Sequence, residues 1–431
     1  MQNWKSHLIN IALLLIVGYH SISQSLPQIS NKGIQLITYY LELKTNKRIV
    51  PGIVAVVANK KEIIYQRASG INSMVNKDSL RIDHLFTILS MTKAITAVAV
   101  MQLYEKGNIR IDDPIAEYLP ELDSIGVIDQ FNKQDTTFSI KHPSQPITIR
   151  HLLTHTSGIG YEWDNRVLNM INQKKYGGKL WQPYTYYPLL NEPGAKWNYG
   201  MSYDVLGKLI EKVSGISLDK YFYQNIFKPL GMENTFFTVP ENKTSKLTNW
   251  YARNNGVLTE QQSLGKQKPN INGGAGLYAT AEDYTRFLQM LLNKGTFKGI
   301  KILRKESVQE MTKNQIGDLF IETQVGAMAN ISNDFPSGAG NDKFGYGFVI
   351  TTNPDNDGTK RKPGSYNWAG AFNTYYWVDP KSGIIAIILM QILPFYDKDC
   401  IEIMDGFERL VYKYLNTNNA RIPIGYRKGK R

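Results

Sequence analysis

Cysteine is almost absent from this chain. Cys400 stands alone among 431 residues, which excludes an internal disulfide framework and a thiolate metal centre. It lies in a mixed apolar and acidic stretch close to the C-terminus and reads as a packed side chain. Histidine is scarce too, with six residues in all. His151 and His155 are four apart, but no glutamate follows the first, so the two-histidine metal helix is missing and no metal or other cofactor is expected. Acidic residues are outnumbered, 37 Asp and Glu against 50 Lys and Arg, for a net charge of +13. The basic residues are scattered except at Arg421–Arg431, and no nucleic-acid motif accompanies them. The excess reads as a solvated surface, with no nucleic-acid partner.

Long apolar runs are also lacking. The one near the start, Leu8 to Val17, is short for a membrane span. Lys5 and His7 precede it and Ser21-Ile22-Ser23 follows, a small-x-small pattern before Gln24. This predicts a signal peptide over residues 1–23 and an exported protein, periplasmic or secreted in a bacterium, with no stable membrane span once the signal is removed. An uncleaved N-terminal anchor is the alternative. The body of the protein is then 24–415 and the basic tail 416–431.

What the chain does have is a stretch from Phe86 to Gly107 headed by Ser90-Met91-Thr92-Lys93 and continued by Ala94, Ile95, Ala97, Val98, Met101 and Leu103. In a helix, positions i and i+3 share a face, so Ser90 and Lys93 point the same way. A serine hydroxyl needs a base to become a nucleophile, and a lysine of lowered pKa can be that base. The spacing alone is weak evidence, because Ser217/Lys220 and Ser263/Lys266 repeat it without opening a long apolar helix.

Along the chain, Ile34–Asn46 reads as an amphipathic helix, and Gly52–Asn59 with Glu62–Arg67 as a hairpin. Residues 121–146 and 240–270 read as polar, irregular loops. Thr148 is a good N-cap for a short helix ending near Gly158, and His155 reads as a ring bonded to turn backbone. The 174–187 loop is rich in aromatics, among them Trp181 and Tyr184, which suits a surface-packed loop or the wall of an apolar ligand site. A helix continues to Gly215 from the Tyr199–Gly207 block. The glycine-rich turn Gly273–Thr280 lacks the lysine of a phosphate loop and leads into a helix capped by Thr280. Strands at Tyr346–Thr352, Thr374–Val378 and Ile384–Gln391 precede a last helix, Asp399–Leu415. Strands at both ends with helices between predict an α+β fold. One antiparallel sheet would be completed from both termini and flanked by helices, with a mostly helical region, about residues 90–290, inserted.

Five blocks in order, Ser90–Lys93, Leu152–Gly158, Tyr199–Gly207, Gly273–Thr280 and Trp368-Ala369-Gly370-Ala371, resemble the serine β-lactamase/penicillin-binding-protein superfamily. Within it the chain is most similar to the esterases of the class C β-lactamase-like branch. The resemblance implies a β-lactamase/transpeptidase-like fold and a catalytic set of Ser90 as the acylated nucleophile, Lys93 as its base and Tyr199 as proton relay. Tyr203 is the rival tyrosine. The oxyanion hole would be the backbone N–H groups of Ser90 and Ala371, donors commonly worth about 3 kcal/mol each in the barrier. Met201, Trp368, Ala369, Gly370, Trp181 and Tyr184 would bind substrate.

Two departures from the family pattern bear on the substrate. Met201 stands where the class C branch carries asparagine, and Trp368 where lysine usually holds a substrate carboxylate. A lost charge-assisted contact removes about 1.5–3 kcal/mol. Both changes favour a neutral, more apolar substrate, with Lys360, Arg361 and Lys362 as the nearby cations that would compensate. The expectation is an exported serine hydrolase for carboxylic esters, with a small-molecule ester or acyl-peptide as its partner. The alternatives are a D-Ala-D-Ala carboxypeptidase, D-aminopeptidase or β-lactamase and, third, a non-catalytic penicillin-binding-like protein.

Overall fold

The computed structural model describes residues 25–180, 182–266, 270–353 and 357–416. The expected signal peptide, Trp181 and the tail from 417 onward lie outside the described residues. The centre is a seven-stranded antiparallel sheet. In spatial order its strands are Lys343–Phe344, Val349–Ile350, Tyr366–Gly370, Thr374–Asp379, Ile384–Leu389, Gly52–Asn59 and Ile63–Gly70. Ile384 pairs with Asn59 and Leu389 with Val54, so the chain's two ends meet in the middle of the sheet. The Ile384–Leu389 strand is apolar along its whole length because both its faces are covered. Each fully buried Ile or Leu there contributes on the order of 2 kcal/mol.

One face carries the first helix, Asn31–Asn46, and the last, Lys398–Tyr414, with Phe407 packed on Tyr65 and Trp377. The other carries the helix Ala281–Leu292, capped by the Thr280 side chain as expected. Its Tyr284 hydroxyl donates to the Met91 carbonyl at 2.9 Å, tying the sheet to the segment that bears Ser90. The inserted region, with helices Thr92–Glu105, Ile149–Leu153, Arg166–Tyr176 and Ser202–Ser214, lies on this side.

Two stretches expected as loops are hairpins. Val127–Phe131 pairs with Phe138–Lys141, both rich in β-branched and aromatic residues. Trp250–Asn254 pairs with Val257–Gln261 through Asn255-Gly256, both at positive φ. An Asn-Gly pair between apolar residues is the strongest short hairpin signal, and the surrounding polar composition masked it.

Candidate active site

Ser90 does not sit in the long helix itself but in the single turn Leu89–Met91 ahead of it, with Leu89 at φ +40. The helix runs Thr92–Glu105, and 12 of its residues, from Thr92 to Leu103, are buried. Ser90 is left half-buried and reachable, whereas Lys93 is 1 % exposed. Their spacing brings Lys93 Nζ to 3.1 Å from Ser90 Oγ.

Tyr199 arrives from a different part of the chain. Its hydroxyl donates to Ser90 Oγ at 2.6 Å. The register is set by backbone contact: a Cβ on Gly200 would lie 2.0 Å from the Ile159 carbonyl, so glycine is required there. The same approach places Tyr161, two residues on, with its ring 5.4 Å from that of Tyr199 and its hydroxyl 3.3 Å from Lys93 Nζ. The rival, Tyr203, is fully buried and donates to the Leu153 carbonyl at 2.7 Å, away from Ser90.

The third holder of Lys93 is the glycine-rich turn. The Gly274 carbonyl accepts from Lys93 Nζ at 2.7 Å, and the Gly273 carbonyl accepts from Thr96 Oγ1 at 2.6 Å. Burial lowers the Lys93 pKa to about 7, while the carboxylates of Asp204 and then Asp164 pull it back upward. Burial also pushes the Tyr199 phenol well above its ordinary value, opposed by the Ser90 and Trp368 side chains, so the ring is protonated at neutral pH. A neutral Lys93 has one lone pair and two N–H bonds. Its N–H groups suit Gly274 O and the Tyr161 oxygen, which leaves the lone pair for the Ser90 proton.

The strand Tyr366–Gly370 packs on the Ser90 turn. Gly370 is pressed so close that a Cβ would lie 2.2 Å from the Ile88 carbonyl. Ala371 follows directly at the end of this strand. Trp368 is buried with its ring 5.2 Å from Tyr199, inside an aromatic group completed by Trp163, Trp197 and Phe335. Met201 is 3 % exposed, its carbonyl closing the first turn of the Ser202–Ser214 helix, so its side chain offers a substrate little surface. Tyr184 lies in the turn Tyr184–Tyr186 with its hydroxyl 3.4 Å from Glu121 Oε1, and the Asp204 charge still reaches it.

Two expectations need correction. The His155 ring does not bond to turn backbone. Both its nitrogens are without hydrogen-bond partners among the described residues, burial keeps it neutral, and it packs between Tyr199 at 4.8 Å and Tyr203 at 5.1 Å. It is the His155 carbonyl that bonds, accepting from Asn198 N at 2.7 Å. Lys360 and Arg361 are not spare cations: Lys360 pairs with Asp405 and Arg361 with Glu408, each at 2.7 Å.

A cavity of about 570 Å³ has Ala369, Asn367, Trp377 and Met404 in its wall. Asn367 and Ala369 pair with Trp377 and Tyr375, which share the sheet face covered by the last helix. Trp368 and Phe335, whose rings lie 5.2 and 5.6 Å from that of Tyr199, line it as well, so the cavity is not confined to that face; the reactive geometry, not this volume, marks the site. Sequence reading missed Tyr161, the Gly274 carbonyl and Asp204. The glycines at 200, 273 and 274 were the available signal: the first two press on backbone carbonyls that leave no room for a side chain, and the third on the Asp204 carboxylate.

A half-buried serine, a buried lysine of lowered pKa and a protonated tyrosine meeting at one oxygen define a serine acyl-transfer centre. The chain belongs to the Beta-lactamase family, whose model matches residues 35–405. It is 29% identical over 365 residues to an acyltransferase, calJ, of Penicillium decumbens, covering 80% of this chain and 85% of that one. It is 26% identical over 399 residues to a lovastatin esterase of Penicillium rubens, covering 87% and 97%. A solved structure of a mutant simvastatin synthase from Aspergillus terreus superposes with a TM-score of 0.77 at 25% identity, covering 89% of this chain and 95% of that one. Esterases and acyltransferases thus stand among its relatives.

Proposed function

We propose that the protein is an exported serine esterase that works through an acyl-Ser90 intermediate. The observation that carries this is the meeting of Lys93 Nζ and the Tyr199 hydroxyl on Ser90 Oγ, at 3.1 and 2.6 Å. Ser90 Oγ bonds to the ester carbonyl carbon as its proton passes to Lys93. The carbonyl π pair moves onto oxygen, where the Ser90 and Ala371 N–H groups stabilise it. Collapse breaks the carbon–oxygen bond to the alcohol, which takes the Tyr199 proton, and the Lys93 proton then replaces the one Tyr199 gave up. Water repeats the sequence to free the acid. The aromatic surroundings of Trp368 and the absence of a lysine at that position support a neutral, apolar acyl substrate. The pairing of Lys360 and Arg361 with the last helix works against their serving as a carboxylate anchor for a penicillin or a D-Ala peptide. Export rests on the Lys5 to Ser23 segment.

A second reading, favoured by the acyltransferase relatives, is that an alcohol rather than water receives the acyl group. One assay separates the readings. Turnover of a short-chain nitrophenyl ester and of a chromogenic cephalosporin is compared, with and without an added alcohol, with Ser90→Ala as control. Ester turnover lost in Ser90→Ala with little cephalosporin turnover supports the esterase. New ester formed with the added alcohol supports the transferase. Cephalosporin turnover in excess, or ester cleavage surviving in Ser90→Ala, overturns the proposal.

A further inference from the structure

Asp204 belongs to none of the roles above, yet it is joined to the base through a single residue, Gly274. Its Oδ1 accepts the Gly274 N–H at 3.1 Å, and the carbonyl of the same residue accepts Lys93 Nζ at 2.7 Å. The fit is tight, since a Cβ on Gly274 would lie 2.3 Å from Asp204 Oδ1. Asn272 Oδ1 holds the turn from the other side, accepting the N–H groups of Gly274 at 3.0 Å and Ala275 at 2.6 Å. Asp204 is in the first turn of the Ser202–Ser214 helix, five residues after Tyr199, so one short segment supplies both the proton relay and this carboxylate.

We propose that Asp204 is a positioning residue for the base, holding Lys93 against Ser90 through the backbone of Gly274 and supplying the negative charge that Lys93 faces. The inference rests on the Ser90–Lys93 reading of the site. When Ser90 gives its proton to Lys93, an ammonium appears in a buried place, and an uncompensated buried ammonium is costly. The groups facing Lys93 are Asp204 from this helix, Asp164 and Tyr161 from the loop after Gly160, Tyr199, and the neutral His155 ring. Asp204 exerts the largest pull among the charges, and Lys93 in return is the main charge opposing the upward push of burial on Asp204. Glu162 adds a further negative influence on Asp204.

The experiment follows the rate at which a fluorophosphonate labels Ser90, from pH 5 to 9, in the parent, Asp204→Asn and Asp204→Ala, with circular dichroism to check folding. Asparagine keeps an acceptor for the Gly274 N–H and removes the charge. Its acid limb is expected to move down by about one pH unit, because the ammonium loses its main compensating charge. Alanine removes both, and its rate is expected to fall about a hundredfold across the range. Coincident profiles for parent and Asp204→Asn, or an undiminished rate in Asp204→Ala, overturn the proposal. If the Asp204 variants do not fold, Asn272→Ala decides it. That change loosens the turn but leaves the carboxylate, so the limb is expected to stay in place, and a moved limb assigns the effect to the turn and overturns the proposal. A parent protein that is not labelled at all takes down the Ser90 mechanism itself, whereas a labelled parent with coincident variants takes down Asp204 alone.

Discussion

The Tyr199 hydroxyl donates to Ser90 Oγ across 2.6 Å as a protonated phenol, since burial drives its pKa far above the physiological range. This divides the labour. A protonated phenol is a poor acceptor for the serine proton, so in the proposed mechanism Lys93 acts as the base and Tyr199 gives a proton to whatever leaves the acyl carbon.

Tyr199→Phe is therefore expected to lower kcat by about 10²–10⁴-fold, the usual worth of a general acid. The fold should hold, because phenylalanine keeps the ring contacts with His155, Trp197, Phe335 and Trp368. Steady-state kinetics beside a melting curve check both halves. A variant within a few-fold of the parent would remove Tyr199 from the chemistry.

The pH dependence follows from Lys93. Its pKa is lowered to about 7, so the neutral amine, the form the proposed mechanism needs as base, is present above that pH and lost below it. The kcat/KM for a neutral ester is expected to rise through pH 7 on a single-proton limb and to level off well before the ordinary lysine range near 10.4. A limb that begins only near pH 10, or a flat profile from 5 to 8, contradicts a depressed Lys93.

Much of the candidate site was legible because each of its parts is a short local motif. Ser90 and Lys93 are one turn apart, Tyr199 stands three residues ahead of a helix, and Trp368 lies in a strand five residues long. The sheet was legible from the apolar runs at Gly52–Asn59 and Ile384–Leu389, whose covered faces demand such runs. What escaped reading depends on glycines pressed against distant parts of the chain. Tyr161 reaches Lys93 only because Gly200 lies against Ile159, and the Gly274 carbonyl reaches it only because Gly274 fits beside Asp204. His155 escaped for another reason. A polar ring enclosed by aromatics looks in sequence like any turn histidine, and only the fold shows that its carbonyl, not its ring, makes the bond.

Gly370 tests how tightly the Trp368 strand must close on the nucleophile. Alanine there would put a methyl 2.2 Å from the Ile88 carbonyl and 2.4 Å from Thr374 Oγ1, and backbone on the Ile88 side cannot rotate away. The strand must retreat from the Ser90 turn and carry the Ala371 N–H with it. Gly370→Ala is expected to cost about 1–3 kcal/mol of stability, as overpacking does. It should lower kcat by at least about tenfold, since an oxyanion donor acts only at its proper distance. Melting and turnover of the same preparation check this, and unchanged kcat would mean that the strand's approach does not set the oxyanion geometry.

The Arg361–Glu408 pair separates a structural cation from a substrate-binding one. Arg361 is nearly enclosed: its guanidinium forks onto both Glu408 oxygens at 2.7 and 2.9 Å and stacks 4.7 Å over Trp377. The side chains are 14 % and 5 % exposed, so removing one partner strands a largely desolvated charge. Glu408→Gln and Arg361→Met are each expected to destabilise the fold by about 3–5 kcal/mol, while the double change to apolar residues of similar volume costs much less. Denaturant midpoints for the two singles and the double measure that coupling. The same proteins also decide the substrate question. If Arg361 serves the fold alone, KM for a carboxylate-bearing substrate is unchanged in Arg361→Met below its unfolding range. A selective rise in that KM would instead make Arg361 the anchor that replaces the lysine missing at Trp368.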